Sequence, residues 1–342
     1  MKVSVLVPVC NGETFLAECL ESILAQDFAD MEILIADDAS TDGSVTLVER
    51  YAARDARIRW WKNLNNLGLA QNFNCCLRAA KGEYIKYVLQ DDKLISPLAI
   101  RKMTEALDNH PEVSLVSSAS QVLDEHSRVI EVRKYFKPGV VEGGQVVGRC
   151  VERLTNLIGE PSVVMFRREQ ATRGYNEQFR QLLDLDLWFY LLEQGQFAYL
   201  AEPLCAFRRH AAQQSEVNRR NNISQKEHFF MFKAYFDKHY RVTRRALFIF
   251  IYYLKKNPQD EQTPQLIADL MVVLKPGWYS LYWLERRIIR PFENLKNWMV
   301  KRRHRRLYRR ELPIPNPPGH NGSTGSGVAT GDVGSNLRSA EK

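Results

Sequence analysis

The first hundred residues alternate between two hydrophobic patterns. The β-branched run at 3–7 reads as a strand buried on both faces, 31–36 as a second buried strand, and 58–61 and 84–89 as a third and a fourth strand. Between them lie segments with apolar residues at helical spacing, at 14–26, 42–54 and 69–81, and a fourth follows at 97–110. In the first of these, Phe15, Leu16, Cys19, Leu20, Ile23 and Leu24 share one face. Thr41 and Asp42 are the candidate N-caps of the second, Gly82 ends the third, and Pro111 stops the fourth. Strands alternating with helices of this length predict βαβ units, a mostly parallel α/β sheet with helices on both faces. The pattern loosens afterwards. Residues 114–122 and 163–167 read as strands, and 138–148 as a glycine-rich loop. A short helix is expected at 185–194, then a strand pair at 197–207 broken by Pro203. A long aromatic-rich helix is expected from 222 to 240.

Charge changes this picture at one end only. The chain of 342 residues carries a formal charge of +8. Eleven Lys and Arg against one acid, Glu293, put +10 between Arg286 and Arg310, and +8 less +10 leaves the remainder at −2. A slightly acidic body argues against nucleic acid as a partner. Leu281, Leu284, Ile288, Phe292, Leu295 and Met299 form an apolar stripe opposite those cations, and Trp278, Trp283 and Trp298 suit a headgroup layer. This is the pattern of a helix lying on an anionic membrane surface through residues 278–310. The competing expectation is a helix packed on the body with a solvated basic end. From residue 311 the chain is rich in Pro, Gly, Ser and Asn and is expected to be disordered.

The opening MKVSVLVPVCNG is too short for a signal h-region, and the apolar run 247–254 is too short to span a bilayer. The six cysteines show no CxxC pair and no His at metal-finger spacing, so they read as small apolar residues of a reducing compartment. A cytoplasmic protein, peripheral on a membrane through its basic stretch, is therefore expected.

The candidate chemistry sits at the carboxyl ends of the expected strands, where open parallel sheets bind ligands. Pro8, Asn11, Gly12 and Glu13 follow the first strand, Asp37 and Asp38 the second, and Gln90, Asp91 and Asp92 the fourth. Acids gathered at one sheet edge repel unless a cation or a hydrogen-bonding ligand compensates them. Carboxylates suit Mg²⁺ or Mn²⁺, which commonly share their coordination with substrate phosphates. No GxxxxGK[ST] loop is present, and no GxGxxG follows the first strand, which weighs against Walker-type and dinucleotide sites. For Asp42, turn formation is the stronger expectation. A nucleotidyltransferase and a non-catalytic nucleotide-sugar-binding module remain open alternatives on these residues.

The runs VSVLVPVCNGETFLAECLESILAQ, EILIADDASTDGS, NLGLAQN and KGEYIKYVLQDD resemble, in this order, the family 2 glycosyltransferases of the GT-A fold. The similarity covers residues 2–210. It implies an inverting, metal-dependent transfer of a sugar from a nucleoside-diphosphate donor to a hydroxyl of a glycan or lipid-linked acceptor, as in polysaccharide or lipopolysaccharide assembly. It implies that Pro8, Asn11 and Glu13 border the nucleotide, that Asp38 holds base or ribose, that Asp91 lies near the donor's ribose or sugar, and that Asp92 binds the metal. The acid that many members carry two positions before the pair is Leu89 here. LLDLDLWFYLLEQG resembles the family's segment that bears the catalytic base, which falls on Asp184, with Leu183 in place of a Glu; Asp186 is expected to cap the helix. AFRRHAAQQS places Arg208 and His210 at the diphosphate or the metal. The domains expected are a catalytic domain 1–215 (nucleotide half 1–112, acceptor half 113–215), a helical extension 216–310 and a tail 311–342.

Overall fold

β1 (Val3–Val9) and β2 (Met31–Asp37) are buried along their whole length, as their mainly apolar runs require, and the buried Ser4 hydroxyl donates to Glu32 at 2.6 Å. They alternate with α1 (Glu13–Leu24), α2 (Ser44–Ala52), β3 (Ile58–Lys62), α3 (Leu69–Ala79) and β4 (Tyr84–Tyr87). In the sheet these four strands lie in the order β3-β2-β1-β4, all parallel, with Val3 opposite both Met31 and Tyr84. The loops after β1, β2 and β4 therefore emerge at one edge. The computed structural model describes residues 1–211 and 213–220, and singly 223, 227, 228, 231, 234, 235, 251, 264, 265, 267 and 268. All belong to one compact unit, Met1–Pro276.

The second half extends the same sheet with mixed direction. β5 (Lys93–Leu94), α4 (Ala99–Asp108), β6 (Val113–Leu123), β7 (Val129–Arg133), β8 (Gly139–Val141), α5 (Gly143–Arg153), β9 (Val164–Arg167), α6 (Leu183–Leu192), β10 (Gln196–Arg208) and α7 (Gln214–Arg220) follow in order. Beyond β4 the sheet continues β9-β6-β10-β5, with β7 on β6 and β8 on β10. β9 runs antiparallel to both β4 and β6, so it is the strand at which direction reverses. β1 to β4, β6 and β10 run one way and the others oppose them.

Three local expectations are corrected. Residues 138–148 are not a loop but β8 and the start of α5. The glycines read as breakers, yet Val146, Val147, Cys150 and Val151 give α5 one buried face. A Cβ on Gly143 would stand 2.1 Å from the Leu192 carbonyl oxygen, so the glycine permits close approach rather than a break. The expected strand pair at 197–207 is the single strand β10, parallel to β6, whose register shifts around Pro203 absorb the proline. The hairpin strand β7 has no apolar alternation to announce it, because Val129 and Ile130 are exposed.

Of the helix expected at 222–240, residues 223, 227, 228, 231, 234 and 235 are described and helical. The basic stretch 278–310 and the tail 311–342 lie outside the described residues. α7 runs through residue 215, the expected domain boundary. No helix among the described residues is long and apolar enough to cross a membrane.

Candidate active site

The loops after β1 and β2 are zipped together. Asn11 N–H donates to Ser40 Oγ at 2.9 Å and Gly12 N–H to Ser44 Oγ at 2.8 Å. Asn11 Oδ1 accepts from Thr41 N–H at 2.9 Å, Glu13 Oε2 from Gly43 N–H at 2.9 Å, and Asp42 Oδ2 from Glu13 N–H at 3.0 Å. Glu13 and Asp42 thus satisfy amides at the starts of α1 and α2 reciprocally. Against its partial burial, the Ser44 hydroxyl and the amides of Glu13 and Ser44 hold Asp42 below the usual carboxylate range. Asn11 and Glu13, expected at the nucleotide, spend their side chains on this inter-loop lock, and neither lines the cleft.

The cleft itself, about 800 Å³, opens over this edge. Pro8 lines it from just beyond the Leu6–Tyr87 pair that ends the β1–β4 ladder, so its missing N–H removes no rung there. Asp38 lines it too, 2% exposed. Its carboxylate accepts from the amides of Leu67 at 2.8 Å and Gly68 at 2.9 Å and from Asn63 Nδ2 at 2.9 Å. Gly68 presents that amide at φ +83°, a conformation only glycine adopts cheaply. Gln90 clasps the backbone of Cys10 in both directions, accepting at 2.7 Å and donating at 3.0 Å.

The acidic pair divides its roles. Asp91 lines the cleft, with Oδ2 3.0 Å from His210 Nε2, and His210 lines it too. Asp92 is 1% exposed and accepts from Ser162 Oγ and from the Arg208 amide at 2.9 Å. Burial, with the Asp91 charge beside it, pushes its carboxyl well above the usual range. Of the pair, Asp91 is the member that lines the cleft, while Asp92, the expected metal ligand, lies beneath it. Arg208, expected at the diphosphate or the metal, does not line the cleft either. Its guanidinium is buried against Glu18, donates to the Asp91 carbonyl at 2.9 Å and Ser127 Oγ at 2.8 Å, and lies 4.4 Å from the Phe15 ring centre. It fastens β10 to α1; its neighbour Arg209 faces the cleft.

Across the cleft, Asp184 stands in the first turn of α6. Asn156 Nδ2 donates to its Oδ2 at 3.2 Å and the Leu185 amide to its Oδ1 at 2.7 Å. Burial lifts its carboxyl to about 7, Glu160 and Glu227 add to the rise, and the Leu185 amide opposes it. Asp186, on the same turn, faces away and pairs with Arg173 at 2.5 Å. Sequence patterns did not single out Asn156, Glu160, Arg133 or Glu227. Asn156 also accepts from the amides of Ile158 and Gly159, both at 2.9 Å, and Glu160 pairs with Arg133 on the cleft wall. Side chains that act through a loop's fold leave no periodic signal.

The donor set fits a divalent cation. Asp91 and His210 supply a hard oxygen and an imidazole nitrogen, both on the cleft wall. Among the described residues no three His, Cys, Asp or Glu are grouped to hold a metal. Two protein ligands leave positions for substrate oxygens and water, the usual arrangement for Mg²⁺ and Mn²⁺.

A parallel nucleotide-type half joined at β9 to a mixed half, with one cleft across their strand ends, is the GT-A architecture. Solved structures share it. The S. aureus TarS 1–349 complex with UDP-GlcNAc aligns at a TM-score of 0.54 and 18% identity, over 79% of this chain and 71% of that one. The Pyrobaculum calidifontis mannosyltransferase PcManGT, in complex with GDP-Man and Mn²⁺, aligns at 0.50 and 16% identity, over 82% of each chain. In sequence, the model of Glycosyl transferase family 2 matches residues 4–169. EpsE of Bacillus subtilis (strain 168), named as a glycosyltransferase, is 32% identical over 202 residues, 57% of this chain and 68% of that protein. Chondroitin synthase of Escherichia coli is 26% identical over 200 residues, 58% of this chain and 27% of that protein. The chain belongs to the family 2 glycosyltransferases.

Proposed function

We propose that this glycosyltransferase moves a sugar from a nucleoside-diphosphate donor to an acceptor hydroxyl with inversion, Asp184 acting as the base. The observation that carries this reading is that the Asp91–His210 pair and Asp184 line one cleft. The bound UDP-GlcNAc and GDP-Man of the two structural neighbours support a nucleotide-sugar donor, and the Mn²⁺ of one supports a divalent cation.

Pro8, Cys10, Asp38 and Asn66 form the end of the cleft where the nucleoside would sit. Asp91 and His210 would hold Mg²⁺ or Mn²⁺, which when bound supplies positive charge against the leaving diphosphate. Asp184 takes the proton of the attacking hydroxyl. A carboxylate tuned to about 7 is suited to that task, because a base works best when its pKa lies near the operating pH. Attack from the face opposite the diphosphate inverts the anomeric carbon. Arg133, Glu160 and Asn156 line the cleft near Asp184's side and would meet the acceptor.

A glycan or lipid-linked acceptor in polysaccharide or lipopolysaccharide assembly is the acceptor class proposed. The basic stretch 278–310 would then hold the enzyme to an anionic lipid surface, supported by its charge and apolar stripe alone. Vesicle flotation of the full chain in low and high salt checks this, and flotation indifferent to both salt and lipid charge would contradict it.

The direct test is nucleotide release from a panel of UDP-, GDP- and dTDP-sugars with Mn²⁺ or Mg²⁺, with and without chelator. Release that needs the metal, and a product of inverted anomeric configuration by NMR, are expected. Full activity in excess chelator, or retained configuration, would overturn the reading.

A further inference from the structure

We propose that Glu227, beyond the catalytic sheet, is a positioning residue that sets the base Asp184 in place; this rests on the reading of Asp184 given above. Residues 171–182, which lead into α6, contain neither helix nor strand. No sheet ladder fixes them. Instead three consecutive amides converge on one carboxylate. Arg180 N–H donates to Glu227 Oε1 at 2.6 Å, and Gln181 and Leu182 N–H donate to Oε2 at 2.7 and 2.9 Å. Leu182 is the residue from which α6 starts, and it carries no capping side chain of its own. Glu227 supplies that cap from a distance, two residues ahead of Asp184.

Three features argue for more than packing. Glu227 is 6% exposed and makes no ion pair among the described residues, and three backbone amides face its carboxylate. An apolar residue there would orphan three buried or half-buried amides. Second, the strap is gripped by its acceptors too, since Asn218 Nδ2 donates to the Arg180 carbonyl and to Gln181 Oε1, both at 3.1 Å. Third, Arg180, Gln181, Leu182 and Asp184 all line the cleft, so any shift in the strap moves the base relative to the donor. A displacement of about 1 Å at a reacting group can cost about 10²-fold in rate.

The charge has a second consequence. Among the described residues, Glu160, Glu227 and the buried Tyr175 face Asp184 electrostatically. Removing the Glu227 charge lowers the Asp184 pKa, and the acid limb of the pH–rate profile moves to lower pH.

The experiment compares full-length wild type with Glu227→Ala, Glu227→Gln and Asp184→Asn. Readouts are nucleotide release from the UDP-, GDP- and dTDP-sugar panel, the ¹³C carboxyl titration of Asp184 without substrate, and amide hydrogen exchange at 180–186. Glu227→Ala is expected to lower kcat by about 10–10²-fold with donor KM within about twofold, and to speed exchange at 180–182. Glu227→Gln keeps an acceptor oxygen, recovers part of kcat, and shifts the Asp184 titration downward. If Glu227→Ala does not fold, Glu227→Gln decides through the titration and the pH limb. Unchanged kcat, pH limb and Asp184 titration in the folded Glu227 variants, with Asp184→Asn inactive, would overturn this inference alone. Full turnover in Asp184→Asn would overturn the base assignment beneath it.

Discussion

The two walls of the cleft are held by different means. On the nucleotide wall, Asp38 follows β2 and Gln90 and Asp91 follow β4, the two parallel neighbours of β1, and neighbouring loops lock one another through the Asn11, Glu13 and Asp42 contacts. Geometry there is inherited from the sheet. On the opposite wall, Asp184 follows a strap without ladder bonds and depends on the side chains of Asn156, Asn218 and Glu227. The first wall is preorganised by the core and the second by a few polar contacts. Substitutions around the base should therefore change turnover while leaving donor affinity intact, whereas those across the cleft should disturb donor and metal binding together with turnover.

The largest effect is expected on the nucleotide wall. Asp91→Ala should lower turnover by about 10²–10³-fold, the loss typical of removing one group that stabilises developing charge, and weaken the dependence on Mn²⁺. Asp92→Asn should keep the wild-type Mn²⁺ titration and instead lower the melting temperature, because it alters a buried bond to Ser162. Metal titrations of both variants check this; a lost Mn²⁺ response in Asp92→Asn alone would reverse the division of the pair.

An intermediate effect is expected in pH dependence. With Asp184 held at about 7, kcat/KM should rise with pH and level off above neutrality. At pH 6 it should stand about tenfold below the plateau, the fraction of base still ionised. A profile flat from pH 5 to 8 would place the base elsewhere.

The smallest effect is on stability. The folded state raises the Asp184 pKa, so the native protein holds that proton more tightly than the unfolded chain does. Stability from this group is present below the unfolded value of about 3.9 and is lost as pH rises through about 7. Asp184→Asn should therefore melt higher than wild type at pH 8, by about 2–4 °C for each kcal/mol relieved, with a smaller gain at pH 5. Calorimetric scans at the two pH values decide it.

The same contrast explains what could be read in advance. β1, β2 and α1 announce themselves through mainly apolar or 3.6-period runs, and Asp38 and Asp91 follow because ligand sites lie at parallel strand ends. Which member of each pair faces the cleft was not legible. Asp91 and Asp92 are adjacent, and only the arrival of β10 with Arg208 and of Ser162 buries one of them. Arg208 and Arg209 divide in the same way. α5 was hidden by its glycines, of which Gly143 permits close approach to the end of α6. Glu227 was hidden because its partners are main-chain amides, which carry no side-chain signature in the sequence.

The central claim, that Asp184 and not Asp186 serves the acceptor hydroxyl, is tested most directly by measuring both Asn variants for donor affinity by calorimetry and for turnover. The account predicts that Asp184→Asn keeps wild-type nucleotide affinity and loses at least about 10²-fold in turnover. Asp186→Asn, whose carboxylate holds Arg173 away from the cleft, should keep its turnover. Turnover lost in Asp186→Asn and retained in Asp184→Asn would contradict it.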